Sequence, residues 1–438
     1  MHNKTLLIKN GSIVSSKHII KSDLFIKNGK ISKIGMLDHL KADRTINALN
    51  QYILPGIIDP QVHFRDPGLT HKEDIQTGSM CAASGGVTTF FEMPNTKPST
   101  TTIEKLNKKY EVASSKSLVN YSFFLGATSN NSNEIKKLSN NCGLKIFMGS
   151  STGDLLVDNE QHLEEIFAVC NRLIAVHAED EEILNESAKL ISGTDFSNHT
   201  KARPVEAAVK ATEKAIKYAL KYKRKLHILH LSTAEEVKII RAHKKTGLIT
   251  CETTPQHLLM EAPDIYKKIG AFAQMNPPIR EKRHQNELWR GLLDGTIDCI
   301  ATDHAPHTID EKNLPYGQAP SGMPGVETSL TLMLNQVSKG NLKLENIVSL
   351  MSENAAKIYN IKNKGLLKTG YDADIVIIDM EKEKVISNKN MKTKCKWSAF
   401  NGKKTKGWPI TTIVNGDIVY ENEKLNMNVR GSKVLFNY

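Results

Sequence analysis

The chain has 438 residues, which is long enough for two to four domains or for one large α/β barrel with additions. With 39% hydrophobic and 24% charged residues and a mean hydropathy of -0.35, its composition is typical of globular proteins and excludes a disordered or fibrous chain. No apolar run approaches the roughly 20 residues that a membrane helix needs, and the first residues lack the apolar core of a signal peptide. We therefore expect a cytoplasmic protein with no membrane partner.

The formal net charge of +12 first suggests nucleic-acid binding, because a basic surface attracts phosphates without any sequence motif. However, only ten of the 59 basic residues are arginine, and the lysines lie in short clusters with acids among them. This pattern favours a solvated lysine-rich surface and no nucleic-acid partner, with attraction of a small anionic substrate as the alternative. Six scattered cysteines, none in a CxxC pair, predict reduced and mostly buried thiols.

Both ends of the chain have the pattern of short β-strands joined by tight turns. Asn-Gly pairs at 10–11 and 28–29 stand where hairpin turns are expected, and the carboxy-terminal segment contains ADIVIIDM, TTIVNGDIVY and SKVLFNY. These patterns predict a small β domain assembled from both termini, with residues 1–53 and 364–438 as its two parts.

The middle of the chain, residues 54–363, alternates short apolar strand candidates with amphipathic helical stretches. This alternation is typical of parallel sheets, and eight such units predict a (β/α)8 TIM-type barrel. The predicted strands are 53–64, 87–94, 119–128, 143–148, 173–180, 225–232, 248–255 and 298–305.

Five of the eight predicted strands end in a residue that can bind a metal. A single histidine or lysine at a strand end is more often structural, as we expect for His227, but the carboxyl ends of barrel strands meet on one face. Five such residues at equivalent places therefore predict a metal site there. The five are His63, Lys145, His177, His230 and Asp303.

Imidazole and carboxylate ligands suit zinc and its neighbours, and no cysteine accompanies them. A metal held in this way lowers the pKa of water and supports hydrolysis at neutral pH. Asp303 is the candidate for taking the proton of that water, so metal-assisted hydrolysis is the predicted reaction class.

Other polar residues near the same strand ends predict recognition of a substrate. Arg65 lies two residues beyond His63, and an arginine can bind a carboxylate through two parallel hydrogen bonds. Asn95, Asn276 and His307 follow other strands, where each has simple turn chemistry as its alternative reading. Together they predict a pocket for an anionic amide, covered by the loop rich in Gly and Pro that follows Asp303.

At this point the sequence resembles the dihydroorotases of the cyclic amidohydrolase superfamily over nearly its whole length. The motifs that carry the resemblance are LPGIIDPQVHFRDPGLTHKED, GGVTTFFEMPNT, GLKIFMGSSTG, AVHAED, HILHLST, MNPPIR, IATDHAPHT and GYDADIVIID. The resemblance implies a hydrolase of cyclic amides that interconverts N-carbamoyl-L-aspartate and L-dihydroorotate in pyrimidine synthesis. Hydantoinases and allantoinases share the barrel and metal plan, so a cyclic amidase of that type is an alternative.

The resemblance also implies roles for individual residues. His63, His177, His230 and Asp303 match metal ligands, and Asp303 matches the general base and acid as well. Lys145 matches a lysine that becomes a metal-bridging carbamate in several members, where others place an aspartate. The implied cofactor is one or two Zn²⁺ ions, and a homodimer is expected. The residues that match substrate-binding positions are Arg65, Asn95, Asn276, His307, Ser321 and Gly322.

One position departs from the family pattern. The first barrel strand of the family carries His-x-His, and here the first histidine is replaced by Gln61. A neutral amide is a weaker zinc ligand than imidazole, so one of two metal positions is expected to be weak or empty. A catalytically silent relative that serves as an assembly subunit is therefore a further alternative.

Overall fold

The computed structural model describes residues 4–149 and 155–437 of the chain. Its strands are β1 (Thr5–Lys9), β2 (Ser12–Val14), β3 (Ile19–Lys21), β4 (Asp23–Lys27), β5 (Lys30–Gly35), β6 (Arg44–Asn47), β7 (Tyr52–Pro55), β8 (Ile57–Val62), β9 (Val87–Glu92), β10 (Asn120–Gly126), β11 (Gly143–Phe147), β12 (Ile174–His177), β13 (Leu226–Ile228), β14 (Ile249–Thr253), β15 (Cys299–Ile300), β16 (Ile375–Val385), β17 (Lys404–Val414), β18 (Asp417–Glu421) and β19 (Lys424–Leu425).

The α-helices are α1 (Ile75–Ser84), α2 (Ile103–Lys116), α3 (Ser132–Lys136), α4 (Glu160–Val169), α5 (Glu181–Lys189), α6 (His199–Ala202), α7 (Val205–Lys221), α8 (Ala234–His243), α9 (Pro255–Leu259), α10 (Asp264–Ile269), α11 (Lys282–Leu293), α12 (Ile309–Lys312), α13 (Ser329–Ser338), α14 (Leu344–Val348) and α15 (Asn354–Ile358). No helix within the described ranges is long and apolar enough to cross a membrane.

Strands β8 to β15 form one sheet of eight parallel strands in chain order. A parallel bridge between Val62 and His304 joins the end of β8 to the segment after β15 and closes the sheet. Every residue of β8 to β13 is buried, as expected for parallel strands covered on both faces. The predicted (β/α)8 barrel is confirmed, and each of the eight predicted strands corresponds to one of its strands.

The first predicted strand, 53–64, differs from the structure because it is two strands. β7 pairs with β16 in a terminal sheet, whereas β8 pairs with β9 in the barrel. The break falls at Gly56, where an added Cβ would lie 2.1 Å from the hydroxyl oxygen of Thr88. The predicted boundary between residues 53 and 54 lies within β7, and the three domain ranges remain predictions.

The remaining strands form two sheets that draw on the ends of the chain. β1, β4, β5 and β6 make a four-stranded sheet, and β2, β3 and β7 join β16 to β19 in a seven-stranded sheet. The apolar side chains of both sheets pack in one cluster that includes Ile8, Ile53 and Ile375. The predicted composite β domain is therefore confirmed.

Some barrel helices begin within a few residues of the strand ends that carry the candidate site. α8 begins directly after Thr233, whose hydroxyl accepts the backbone N–H of Glu236, while the Glu236 carboxylate accepts the backbone N–H of Thr233. This reciprocal capping satisfies two donors that the first turn would otherwise leave unpaired. The capped turn fixes the chain just after His230.

Candidate active site

The five predicted metal ligands all have buried side chains at the carboxyl end of the barrel. His177 is the last residue of β12 and Lys145 lies in β11. His63 directly follows β8, whereas His230 lies two residues past β13 and Asp303 three residues past β15. His230 and Asp303 adopt left-handed backbone conformations, with φ of 38° and 48°. Such conformations are costly for residues other than glycine and are concentrated at functional sites.

His63 and Asp303 form the first pair of the site. Nε2 of His63 lies 3.0 Å from Oδ1 of Asp303, and Nδ1 lies 2.7 Å from the amide oxygen of Asn95. Because burial lowers the pKa of His63, its ring is neutral, and the hydrogen bond to Asn95 places the one proton on Nδ1. The lone pair of Nε2 then faces a carboxylate oxygen, an arrangement that suits a cation between them.

His177 and His230 form the second pair. Nε2 of His177 donates to Oε2 of Glu179 at 2.8 Å, so its Nδ1 carries a lone pair, which faces Nε2 of His230 at 3.0 Å. Nδ1 of His230 is buried and has no hydrogen-bond partner among the described residues. A carboxylate that orients a histidine through its far nitrogen is a common support for a metal ligand. The donor set of both pairs thus fits a divalent metal.

Glu179 and Arg203 support the second pair, and sequence reasoning missed both. Nε of Arg203 donates to Oε1 of Glu179 at 3.1 Å, and Nη2 contacts Oε2. Burial alone would raise the pKa of Glu179, but the charge of Arg203 and the bond to His177 hold it below its ordinary value. The signal for Glu179 was its position two residues after His177 in HAED, while nothing in the sequence pointed to Arg203.

Lys145 has its charge close to both pairs. Burial lowers the pKa of its ammonium to about 7, although the charges of Asp303 and Glu252 oppose that shift. Burial is the main reason that the pKa values of His177 and His230 are lowered, and the charge of Lys145 lowers them further. A buried lysine with this pKa has a large neutral fraction at neutral pH, and the neutral amine is the form that reacts with carbon dioxide.

Gln61 lies beside Asp303 at the end of β8. Its Nε2 donates to Oδ1 of Asp303 at 3.0 Å, while its buried Oε1 has no hydrogen-bond partner within the described ranges. The residue that replaces the family's first histidine therefore points at the same carboxylate as His63. Its amide oxygen is the atom that could contact a metal.

The predicted substrate residues form a second, cationic part of the site. Nη2 of Arg65 lies 3.2 Å from Nε2 of His307, and that nitrogen donates to the backbone oxygen of Ser321 at 3.0 Å. Nζ of Lys72, which sequence reasoning missed, donates to Nδ1 of His307 at 3.1 Å and so fixes the proton of the ring on Nε2. Nε of Arg65 is buried without a partner among the described residues.

Asn276 lies on a loop that contacts the cationic part of the site. Its Oδ1 lies 3.0 Å from Nε2 of His199, and two residues earlier Gln274 accepts the backbone N–H of Gly322 at 2.8 Å and donates to Oγ of Ser321 at 3.1 Å. A cleft of about 530 Å³ opens at this place and is lined in part by His199, Arg203, Gln274 and Ser321. The structure thus brings Arg65, His307, Ser321 and Gly322 together, places Asn95 on His63, and leaves Asn276 on the neighbouring loop.

Another buried cluster in the barrel could also hold an ion by its geometry. One ligand atom each from His227, Glu252 and Cys299 lies within 4.8 Å of the others. However, Nε2 of His227 already lies 3.1 Å from Oε2 of Glu252, and burial raises the pKa of the Cys299 thiol well above its ordinary value. Since the thiolate is the metal-binding form, this cluster is a poorer candidate for a metal site than the strand-end residues.

A closed (β/α)8 barrel with buried histidines, an aspartate and a lysine at its carboxyl end defines the amidohydrolase class. Residues 52–419 match the model of the amidohydrolase family, and the chain belongs to that family.

Two relatives and one solved structure are similar to this chain over nearly its whole length. A dihydroorotase of Methanosarcina acetivorans is 38% identical over 96% of this chain and 92% of its own length, and a dihydroorotase of Pyrococcus abyssi is 36% identical over 98% of each. Among solved structures, an L-hydantoinase (dihydropyrimidinase) of Arthrobacter aurescens has a TM-score of 0.93 and 32% identity, with 97% of each chain covered.

Proposed function

We propose that this chain is a metal-dependent dihydroorotase that interconverts N-carbamoyl-L-aspartate and L-dihydroorotate in pyrimidine synthesis. The observation that carries the proposal is that Arg65 and His307 lie at the same end of the barrel as the two facing pairs of candidate metal ligands. The guanidinium of Arg65 can bind a carboxylate through two parallel hydrogen bonds, so a site with this group suits a cyclic amide that carries a carboxylate. The relatives named dihydroorotase, at 34–38% identity over nearly the full chain, support the same activity.

The metal would be held by His63, Lys145, His177, His230 and Asp303, with one or two Zn²⁺ ions per chain. When bound, such an ion acidifies water and polarises the ring carbonyl. The chain's own residues transfer the protons and orient the substrate. Asp303 accepts a proton from the attacking water and returns it to the ring nitrogen as the amide bond breaks, and it reverses these transfers in the direction of cyclisation.

The substrate would be oriented by the cationic part of the site. Arg65 and Asn95 would bind its carboxylate, together with Asn276, His307 and the backbone of Ser321 and Gly322. Burial lowers the pKa of Arg65 to about 10, which still leaves it charged at neutral pH. A homodimer, as the resemblance implies, is part of this proposal.

We further propose that Lys145 carries a carbamate in the metal-loaded enzyme. An ammonium would place a positive charge beside the two pairs of candidate ligands, whereas a carbamate would supply two oxygens that share one negative charge and would help to hold a divalent metal. Carbon-13 NMR with labelled bicarbonate is the suitable probe, since acid releases carbamates before mass spectrometry. A carbamate resonance should appear in the native chain and be absent from Lys145→Ala, and a bare ammonium in active, metal-loaded enzyme would contradict the proposal.

Turnover by the purified chain tests the function. Loss of N-carbamoyl-L-aspartate and gain of L-dihydroorotate can be followed by ultraviolet absorbance, with hydantoin and dihydrouracil as uncharged controls. Dihydroorotate should be hydrolysed far faster than either control. Faster hydrolysis of hydantoin would favour the activity named for the Arthrobacter structure, and no turnover with bound metal would favour a silent assembly subunit.

A further inference from the structure

Lys312, the last residue of α12, is a lysine with only 1% of its surface exposed. Its ammonium donates to three backbone oxygens: that of Pro320 at 2.8 Å, that of Gly322 at 3.1 Å and that of Gln274 at 3.3 Å. The ring of Trp397 lies against it, with its centroid 5.8 Å from Nζ. Among the described residues, no carboxylate lies within ion-pair distance of this ammonium.

Burying a cation without a counter-ion is costly, and burial lowers the pKa of Lys312 to about 7. A lysine that only filled space could be replaced by methionine or leucine at no such cost. The three carbonyl oxygens offset part of the cost because each accepts a charge-assisted hydrogen bond. The geometry therefore indicates that Lys312 contributes to the structure through its hydrogen bonds with these three oxygens.

The three oxygens belong to two loops that form the substrate end of the site. One loop contains Gln274 and leads to Asn276, and the other contains Pro320, Ser321 and Gly322. The loops also bond directly, since the backbone N–H of Gly322 donates to the backbone oxygen of Gln274. The ammonium thus lies where both loops meet.

Little room remains for either loop to shift toward His307. Gly322 has φ of 135°, and an added Cβ would lie 2.6 Å from the backbone oxygen of Ala305 and 3.0 Å from Nε2 of His307. The indole of Trp397 donates to the backbone oxygen of His307 at 2.7 Å, which fixes the other side of the same pocket. A change in the position of Lys312 would therefore be passed to Ser321, Gly322 and His307.

We infer that Lys312 is a positioning residue for the carboxylate-binding end of the site, where its ammonium holds two loops in the arrangement that binds an anionic ring substrate. This inference rests on the proposed function for the identity of the substrate. The charge of Lys312 also acts on His307. Burial is the main reason that the pKa of His307 is lowered, and the charges of Arg65, Lys72 and Lys312 lower it further. Glu311 pairs with Lys72 at 2.8 Å, and an entering carboxylate would add a second negative charge beside these cations.

The test compares Lys312→Met, which keeps the length of the side chain and removes the charge, with Lys339→Met, which removes an exposed lysine. With dihydroorotate as the substrate, Lys312→Met should raise KM at least tenfold and change kcat less than threefold. Binding of orotate, an unreactive ring carboxylate, should weaken by a similar factor, and binding of uracil should stay within twofold. Lys339→Met should match the original chain in all three measurements.

Hydrogen–deuterium exchange separates this inference from the proposed function. The amides of residues 318–323 should be protected in the original chain and should exchange at least tenfold faster in Lys312→Met. Free exchange of this segment in the original chain, or unchanged exchange and unchanged KM in the variant, would overturn the inference. If the original chain does not hydrolyse dihydroorotate at all, the proposed function fails, while exchange and orotate binding still test the role of Lys312.

Discussion

At the scale of single residues, the site is built from neutral rings and buried charges whose proton positions are fixed by their neighbours. Asn95 sets the proton of His63, Glu179 sets that of His177, and Lys72 sets that of His307. Each assignment leaves one nitrogen in a defined state that faces the site. The two residues whose removal should separate binding from chemistry are Arg65 and Asp303.

Replacing Arg65 with alanine should mainly weaken recognition of the charged substrate. Loss of one charge-assisted hydrogen bond costs about 1.5–3 kcal/mol, which is roughly 10- to 150-fold, and loss of two parallel bonds costs more. We expect kcat/KM for dihydroorotate to fall by at least this range. Steady-state kinetics with dihydroorotate and dihydrouracil would check this, with Arg65→Lys as an intermediate control, and equal losses on both substrates would contradict the role.

Replacing Asp303 with asparagine should stop turnover and leave the fold intact. Asparagine keeps the size of the side chain, tolerates the left-handed backbone at this position and still accepts from Gln61. It cannot take a proton, and a general base contributes about 10²–10⁴-fold. The measurement is kcat together with the thermal unfolding midpoint, and Asp310→Asn on the exposed surface serves as the control. Activity near that of the original chain would exclude Asp303 as the base.

At the scale of elements, β8 brings Gln61 and His63 to the same face because side chains two residues apart on a strand share a face. His63 has its lone pair directed at Asp303, whereas Gln61 uses its N–H for that carboxylate and leaves its amide oxygen without a partner among the described residues. The strand thus offers one imidazole where the family pattern offers two.

Gln61→His should increase the metal content of the chain. The position served by Lys145, His177 and His230 keeps its ligands, so we expect it to fill tightly, while the one served by His63, Lys145 and Asp303 fills weakly. Elemental analysis after dialysis should give about one equivalent for the original chain and closer to two for Gln61→His. Gln51→His, on the partly exposed segment before β7, controls for adventitious binding by a new histidine. Two equivalents that resist mild chelation in the original chain would show that Gln61 is a competent ligand.

Local patterns explain why much of this could be predicted from the sequence. Each barrel strand is a short apolar run, and a chemically active residue at its end stands out against that run, as His177 and Asp303 do. The contacts that complete the site join residues far apart in the chain, such as Glu179 with Arg203 and Lys312 with Gln274. Lys312 follows two acids in IDEK and has the pattern of a surface residue, so only the fold shows that it is buried. The break at Gly56 was missed for a similar reason, since both of its strands are apolar.

At the scale of the whole molecule, several buried histidines are held neutral by the fold. Burial lowers the pKa of His199 and His227 to about 3 and that of His257 and His284 to about 4. In the unfolded chain these rings take up protons near pH 6.5. Between that pH and about 4 the unfolded state therefore binds more protons than the folded state, so acid lowers the free energy of unfolding.

Each such histidine should cost about 1.4 kcal/mol of stability per pH unit in this window. Unfolding by urea at pH 7, 6 and 5 would measure the slope. His227→Gln should make the slope shallower by about one proton, because it removes one of the rings that stay neutral in the folded state. His227 is not among the proposed metal ligands, and His18→Gln on the exposed amino-terminal segment serves as the control. Equal slopes for all three chains would mean that His227 is protonated in the folded state.

The sheet shared by the two ends of the chain has a consequence for how the protein is made. Pro55 of β7 pairs with Ile375 of β16, about 320 residues later. Ribosomes add roughly 5–20 residues per second, so β7 of a nascent chain waits on the order of 15–65 seconds for this partner. During that time every barrel strand emerges before the sheet that packs beside it can be completed. One edge of β7 is thus synthesised early and paired late, and until β16 emerges its unpaired backbone groups can pair with another chain.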